Sequence, residues 1–172
     1  PHMPHLAIYW GELWSEHSAQ IVAELNGIGL GGDLFIDGAI GSRTALLHEP
    51  YTDMDASYGA GYLTSEQVAN HLIACTNAGI QGGFHVIGDQ ACEIAMQGAQ
   101  LAAQSTTESA FKRLRHRLEH AEMLSMPNIE AMRALGMTAS MQPLFDAWWG
   151  NVGGMYQARL GERAHSMNRW GS

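Results

Sequence analysis

Two of the nine histidines in this 172-residue chain stand out by their position in its alternation of apolar runs. His85 lies within Phe84-His85-Val86-Ile87-Gly88-Asp89, and His120 closes Arg115-His116-Arg117-Leu118-Glu119-His120. Each segment reads as a short strand. Each imidazole therefore falls at or just past a strand's C-terminal end, where ligands bind in parallel α/β architectures. Imidazoles on neighbouring strands can converge on one divalent ion, with Zn–N distances near ~2.1 Å. A third apolar run, Leu34-Phe35-Ile36, is flanked by two carboxylates, and period-two alternation puts Asp33, Phe35 and Asp37 on one face. On the lumen face of a closed barrel such carboxylates are costly unless paired or metal-bound. Asp89, Glu119 and Glu122 are nearby acceptors suited to fixing the imidazole tautomers. The competing reading makes the histidines a buried pair bonded to backbone carbonyls, and Asp37 the start of an Asp-Gly turn. Of the other histidines, His17, His71 and His165 read as solvated helix or tail residues. His48 lies in a long loop within reach of a pocket.

The elements that must hold these residues follow from the pattern. Strands are expected at 6–10, 34–36, 84–87, 115–119 and 137–141, and helices at 15–25, 65–78, 90–104 and 127–135. Thr64-Ser65-Glu66-Gln67 fits a capping box and Gly79 a helix end. Asp89 is placed to cap the third helix, and Pro127 suits the first turn of the fourth. Residues 38–63 hold no element, and so long a connection is usually functional or a lid. The stretch 144–172 carries Gly150, Gly153, Gly154 and Gly161, with exposed-looking Trp148, Trp149 and Trp170. Pro1-His2-Met3 reads as a cloning remnant and stands apart from the domain, which runs from 4 to 143 with 144–172 as its extension. Strands alternating with helices imply an α/β fold of parallel βα repeats. These close either as an open doubly wound sheet or as part of a (β/α)₈ barrel. No GxGxxG follows the first strand, which weakens a dinucleotide-binding reading. A whole barrel needs about 250 residues, so the chain reads as a fragment of about five of its eight units.

Composition narrows the function. With 46% hydrophobic and 15% charged residues the chain buries a core. A formal charge of −8 argues against a nucleic-acid partner, which needs a basic face. No apolar run approaches the roughly 18 residues of a membrane span, and no secretory signal is evident. Cys75 and Cys92 form no CxxC pattern, so neither a disulfide framework nor a thiolate zinc site is implied. A cytoplasmic protein is expected.

Four motifs occur in order: Asp37-Gly38-Ala39-Ile40-Gly41-Ser42-Arg43-Thr44-Ala45, His85-Val86-Ile87-Gly88-Asp89, Arg117-Leu118-Glu119-His120-Ala121-Glu122 and Ser140-Met141-Gln142-Pro143. Together they span nearly the whole chain. In them the sequence resembles the metal-dependent amidohydrolase superfamily, in its amidohydrolase-3 (exoenzyme regulatory protein-like) branch. The resemblance implies roughly strands 3 to 7 of a (β/α)₈ TIM barrel with a one- or two-metal centre, usually zinc, that hydrolyses amide-like C–N bonds of small molecules. It makes His85 and His120 the metal ligands of the fifth and sixth strands. Asp33 falls where many relatives carry a lysine, often carboxylated; an aspartate can ligate a metal but forms no carbamate. The His-x-His pair of the first strand and the eighth-strand aspartate, the usual proton-transferring base, are absent from this sequence. No catalytic base is therefore assigned within it.

Arg43 is a candidate contact for a substrate anion, with a structural salt bridge as the competing reading. The expected function is that of a fragment of a metal-dependent hydrolase, inactive in isolation. The alternatives are a non-catalytic half-barrel that binds or assembles, and an unrelated open α/β binding protein. Cut strand edges and an uncovered lumen face lead to the further expectation of a homodimer or higher homo-oligomer.

Overall fold

The computed structural model describes residues 4–169; Pro1-His2-Met3 and Trp170 lie outside the described residues. Five strands form one all-parallel sheet: β1 (Tyr9–Trp10), β2 (Gly29–Leu30), β3 (Gln81–Val86), β4 (Arg117–His120) and β5 (Thr138–Ser140). Their order in the sheet is their order in the chain. A doubly wound sheet reverses direction at a switch point, whereas a barrel wall never does. The sheet is thus a section of barrel wall.

Among the described residues seven helices accompany it: α1 (Glu16–Glu24), α2 (Ser65–Ala78), α3 (Asp89–Gln104), α4 (Glu108–Leu114), α5 (Met126–Leu135), α6 (Pro143–Trp149) and α7 (Met155–Leu160). A 3₁₀ turn over Gly161–Ser166 follows. The start of α2 is the expected capping box: Thr64 Oγ1 accepts from Gln67 N–H, and the Gln67 side chain accepts from Thr64 N–H. Its C-terminus is Gly79 in the left-handed conformation, at φ 73°. At α5, Ser125 caps, Pro127 sits in the first turn and Gly136 terminates. Phe84, Val86 and Leu118 on the helix side of the sheet pack with Val68, Leu72, Ala95 and Ala99 in the main core. There α2 and α3 touch closely, because a Cβ on Gly98 would stand 2.6 Å from Val68 Cβ.

Several expectations change. The second strand of the ladder is Gly29–Leu30, while Leu34-Phe35-Ile36 runs on beside β3 through one parallel bridge, Phe35 to His85. Asp89 is the first residue of α3 rather than its cap; Gly88 holds that place without a side-chain bond. Helices α4, α6 and α7 occupy stretches to which the sequence pattern assigned no element. The connection 38–63 has no helix or ladder strand, yet Ile40, Leu47 and Tyr51 bury in a second core with Tyr156 and Leu160. It is a packed loop. Among the described residues no helix is long and apolar enough to cross a membrane.

Candidate metal centre

Strand β3 sends alternate side chains to opposite faces. Phe84 and Val86 enter the main core, and His85 faces the other way, 5% exposed. Its Nε2–H donates to the Gly38 carbonyl at 2.8 Å. The residues on either side of Gly38 fix that carbonyl in place. Asp37 is fully buried and accepts three backbone N–H bonds, from Leu46 at 2.9 Å, Ile87 at 3.0 Å and Gly88 at 2.7 Å. Thr44 closes the loop from the other side, its Oγ1 accepting from Ala39 N–H at 3.0 Å. Asp37 therefore does not face the lumen beside Asp33. It ties the start of the long loop to the end of β3, and burial pushes its pKa up to about 7 despite the three donors.

His120 reaches the same place by a different route. It pairs with Val86 in the ladder, so plain alternation would send it with Val86 and Leu118 into the core. Instead it adopts the left-handed conformation at φ 68°, followed by Ala121 at φ 52°. That turns its ring to within 4.6 Å of the His85 ring, centroid to centroid. Such backbone costs of order 1–3 kcal/mol per residue and persists where the surroundings enforce it. Here Ala121 N–H is held by Val86 O and Glu119 O, both at 2.9 Å. His120 Nδ1–H donates to Gln142 Oε1 at 2.6 Å, and Gln142 Nε2 in turn donates to the Ser140 carbonyl at 3.0 Å, which fixes the amide's orientation.

Asp33, His85 and His120 each bring one donor atom to a common point, all within 4.8 Å of one another. Tetrahedral ligands at ~2.1 Å stand about 3.4 Å apart, so a small contraction completes the set. The imidazoles are prepared for this. With Nε2–H engaged, His85 Nδ1 is a buried lone pair that has no hydrogen-bond partner among the described residues. Burial lowers the His85 pKa, the Gly38 carbonyl opposes that, and His120 adds to the lowering, which favours the neutral, ligating form. On His120 the engaged Nδ1 leaves Nε2 available. A metal-bound histidine almost always donates its second N–H to an acceptor in this way. The residues fit a divalent ion.

The acceptors are not those expected from the sequence. Asp89 accepts from His48 N–H at 3.0 Å and Gln90 N–H at 2.9 Å, at the start of α3. Glu119 is held by Arg117, whose Nη2 lies 3.1 Å from its Oε2 and also reaches Ser140 Oγ at 3.0 Å. Burial works to raise the Glu119 carboxyl, but Arg117 and Ser140 hold it below its ordinary value. Glu122 is buried beside Tyr156 and bonds to neither ring. The acceptors in use are a backbone carbonyl, which no residue type announces, and Gln142, whose signal was its place just past the end of a strand. Arg43 makes a two-pronged pair with Asp53, at 3.0 and 2.9 Å, and Asp53 also binds Arg159. It thus fastens the long loop to α7. His71 is not solvated but buried, its Nδ1 accepting from Trp14 N–H at 3.0 Å. His48 pairs with Glu93 at 2.9 Å.

Two cavities flank His85. One, of 520 Å³, lies beside Phe35, Gly38, Ser42, Thr44 and Tyr62. The other, of 310 Å³, lies between the two imidazoles and α6–α7.

A parallel barrel wall with two imidazoles and a carboxylate gathered at its C-terminal edge is an arrangement that could hold a divalent ion. The chain belongs to the Amidohydrolase family, whose model matches residues 25–172. It is 33% identical over 115 residues to the Arabidopsis thaliana protein LONG AFTER FAR-RED 3, a match covering 66% of this chain and 19% of that protein. It is 32% identical over 115 residues to YtcJ of Bacillus subtilis, which carries an amidohydrolase name; that match covers 66% of this chain and 20% of YtcJ. Its fold is similar to those of two uncharacterized metal-dependent hydrolases. That from Pyrococcus furiosus has a TM-score of 0.67 and 29% identity, covering 89% of this chain and 32% of that one. That from Pyrococcus horikoshii has a TM-score of 0.68 and 25% identity, covering 89% and 31%. The chain thus spans about a fifth of the curated relatives and about a third of the solved structures.

Proposed function

We propose that this chain is the central part of a metal-dependent hydrolase that cleaves amide-like C–N bonds of small molecules, with His85, His120 and Asp33 as its ligands to a divalent ion, zinc by the chemistry of the donors. The observation that carries this reading is the preparation of the two imidazoles. Each has one nitrogen tied to a fixed acceptor and the other left as a lone pair beside Asp33. A structural pair of buried histidines would have used both nitrogens. When bound, such an ion polarises a carbonyl and makes hydroxide available near neutral pH.

The chain's own groups supply position and field. Gly38 O and Gln142 Oε1 fix the ring tautomers and so the direction of both lone pairs. Asp33 brings one negative charge, which two neutral imidazoles lack. Glu119 stays ionised against Arg117 and adds negative charge close to His85. None of these residues is free to carry a proton from a nucleophile to a leaving nitrogen. General acid–base transfer is worth about 10²–10⁴-fold, so the isolated chain is expected to bind metal without turning over substrate.

Titration of the 172-residue protein with Co²⁺, followed by its visible absorption, tests the reading. One ion per chain is expected, with uptake abolished in His120→Ala and weakened about ten- to a hundredfold in Gln142→Ala. Unchanged uptake in both variants would overturn it.

A further inference from the structure

The 310 Å³ cavity between the two imidazoles and α6–α7 is almost wholly carbon-lined, which a metal site alone does not require. One wall is a run of aromatic rings. Phe145 lies nearly parallel to the His120 ring, 5.9 Å away at 13°. Trp149 follows at 4.8 Å from Phe145, and Tyr156 at 6.1 Å from Trp149. Ile87 and Met155 continue the apolar lining. Glu122 and Tyr156 also border the cavity, but their polar ends face each other, and the Tyr156 hydroxyl faces Asn168 as well, so neither is presented to the space. The floor of the cavity is Gly41, in the turn where Arg43 N–H donates to the Ile40 carbonyl at 3.1 Å. Gly41 is not one of the glycines with positive φ. A Cβ there would meet only the tip of Met155, Cε at 3.6 Å and Sδ at 4.0 Å, which is ordinary contact. At Gly38, by contrast, a Cβ would run into Thr44. Backbone packing therefore requires a glycine at 38 and requires none at 41. What the glycine at 41 provides is empty space in front of Met155.

We propose that this cavity receives the substituent of the substrate amide, that the substituent is an apolar ring, and that the missing side chain of Gly41 sets the room left for it. The proposal deepens the hydrolase reading and rests on it for the words substrate amide; the cavity's ligand chemistry stands on its walls alone. An apolar cavity of about 150 Å³ stays dry and takes up benzene, so 310 Å³ admits a ring and a short link to the amide. A flat ring matches the aromatic wall, against which it stacks in offset or edge-on geometry. A charged or strongly polar substituent would give up its water and find no partner in the walls to replace it. Since His85 and His120 line the same cavity, a ring seated there holds the amide attached to it at the candidate metal ligands.

The first test uses benzene and pyrazine on the unaltered 172-residue protein with a chelator present, followed by methyl chemical shifts in NMR titrations. The two rings have the same shape, and the nitrogens of pyrazine stand at opposite ends, so no orientation in the cavity keeps both in water. Benzene is expected to shift the methyl groups of Ile87 and Met155 and to bind at least about tenfold more tightly than pyrazine, the ratio that one unpaired buried acceptor implies. In Gly41→Leu, whose side chain occupies the space before Met155, benzene binding should weaken by at least about tenfold. The comparison on the unaltered chain decides the matter even if the variant does not fold. Equal affinity for the two rings would overturn the proposal. So would shifts confined to Ile129 and Met132, which line the separate 620 Å³ cavity under α5. With the metal removed, failure here speaks against the cavity and not against the metal centre. The second test joins the two on the Co²⁺-loaded protein: phenylacetohydroxamate should bind at least about tenfold more tightly than acetohydroxamate, because its ring enters the cavity while the hydroxamate holds the ion. Equal affinity would refute the placing of the substituent here. Absence of cobalt uptake would be the failure of the metal reading, and the benzene comparison would then decide the cavity by itself.

Discussion

At the scale of single residues, the buried polar groups divide into those that serve the site and those that serve the fold. His71 and His116 belong to the fold. His116 accepts from Gly82 N–H through Nδ1 at 2.9 Å and meets Thr76 Oγ1 at 2.9 Å through Nε2, joining β3 to α2. Burial pushes the pKa of each down to about 4 from 6.5. A lowered value means that the unfolded chain takes up protons first as pH falls from about 6.5 towards 4. The stability these histidines give is therefore complete above 6.5 and is lost across that window. Asp37 and Glu122, raised to about 7, act in the opposite sense over much of the same range. A difference experiment removes them. His116→Asn, whose carbonyl can still accept from Gly82, should be less stable than the parent at pH 7 through lost packing. In urea unfolding below pH 6.5 that gap should narrow by about 1.4 kcal/mol per pH unit. A gap constant from pH 7 to 4.5 would show that His116 is charged in the fold.

The elements show where local sequence carries structure and where it does not. Helices α2 and α5 were legible because their ends are written in residue types: the Thr64 box, Ser125, Pro127, Gly79 and Gly136. Strand β2 was hidden because Gly29-Leu30 sits in a glycine-rich run that reads as loop. The glycine is there for closeness, since a Cβ on Gly29 would stand 2.1 Å from the Gln81 carbonyl of β3. Helix α4 buries only Phe111 and has too few residues to show a period. In the candidate site, the residue types and the strand positions of His85 and His120 were readable, whereas Asp33 stands exposed in a bend beyond β2 and not beside a 34–36 ladder strand. The left-handed turn that swings His120 across the sheet, and the carbonyl that fixes His85, are tertiary facts without a residue signature. Asp37 had two sequence readings, and the structure selects a turn-and-clamp role. Its replacement by asparagine keeps the size but puts an N–H₂ where an acceptor is needed, so at least one of three buried donors loses its partner. Asp37→Asn should cost about 2–3 kcal/mol of stability in urea unfolding. A change under about 0.5 kcal/mol, the range of ordinary surface substitutions, would mean that the 38–63 connection is held by its apolar contacts alone.

For the molecule as a whole, β1 and β5 are the outer strands of the described sheet, and each presents unpaired backbone groups on one side. The surface also carries large apolar side chains, among them Trp148 at 61% exposure, Leu144 at 52% and Val152 at 92%. Burial of several hundred Å² of such surface is worth about 25 cal/mol per Å² before the cost of association. The 172-residue protein is therefore expected to form a homodimer or higher oligomer at micromolar concentration, kept finite by its net charge of −8. Light scattering giving the mass of an 18.7 kDa monomer would contradict this.

Zinc K-edge X-ray absorption on the zinc-loaded, 172-residue protein measures directly which atoms hold the ion. Two rival clusters of ligand types exist in the fold: Asp33, His85 and His120 at the strand ends, and Cys75 with its Sγ 3.6 Å from His71 Nε2 in the interior. A shell of nitrogen and oxygen alone is expected, near ~2.0–2.1 Å, with the outer scattering of two imidazoles, and no bound zinc in His120→Ala. A sulfur at about 2.3 Å, the absence of imidazole scattering, or no stoichiometric zinc uptake at all would contradict it.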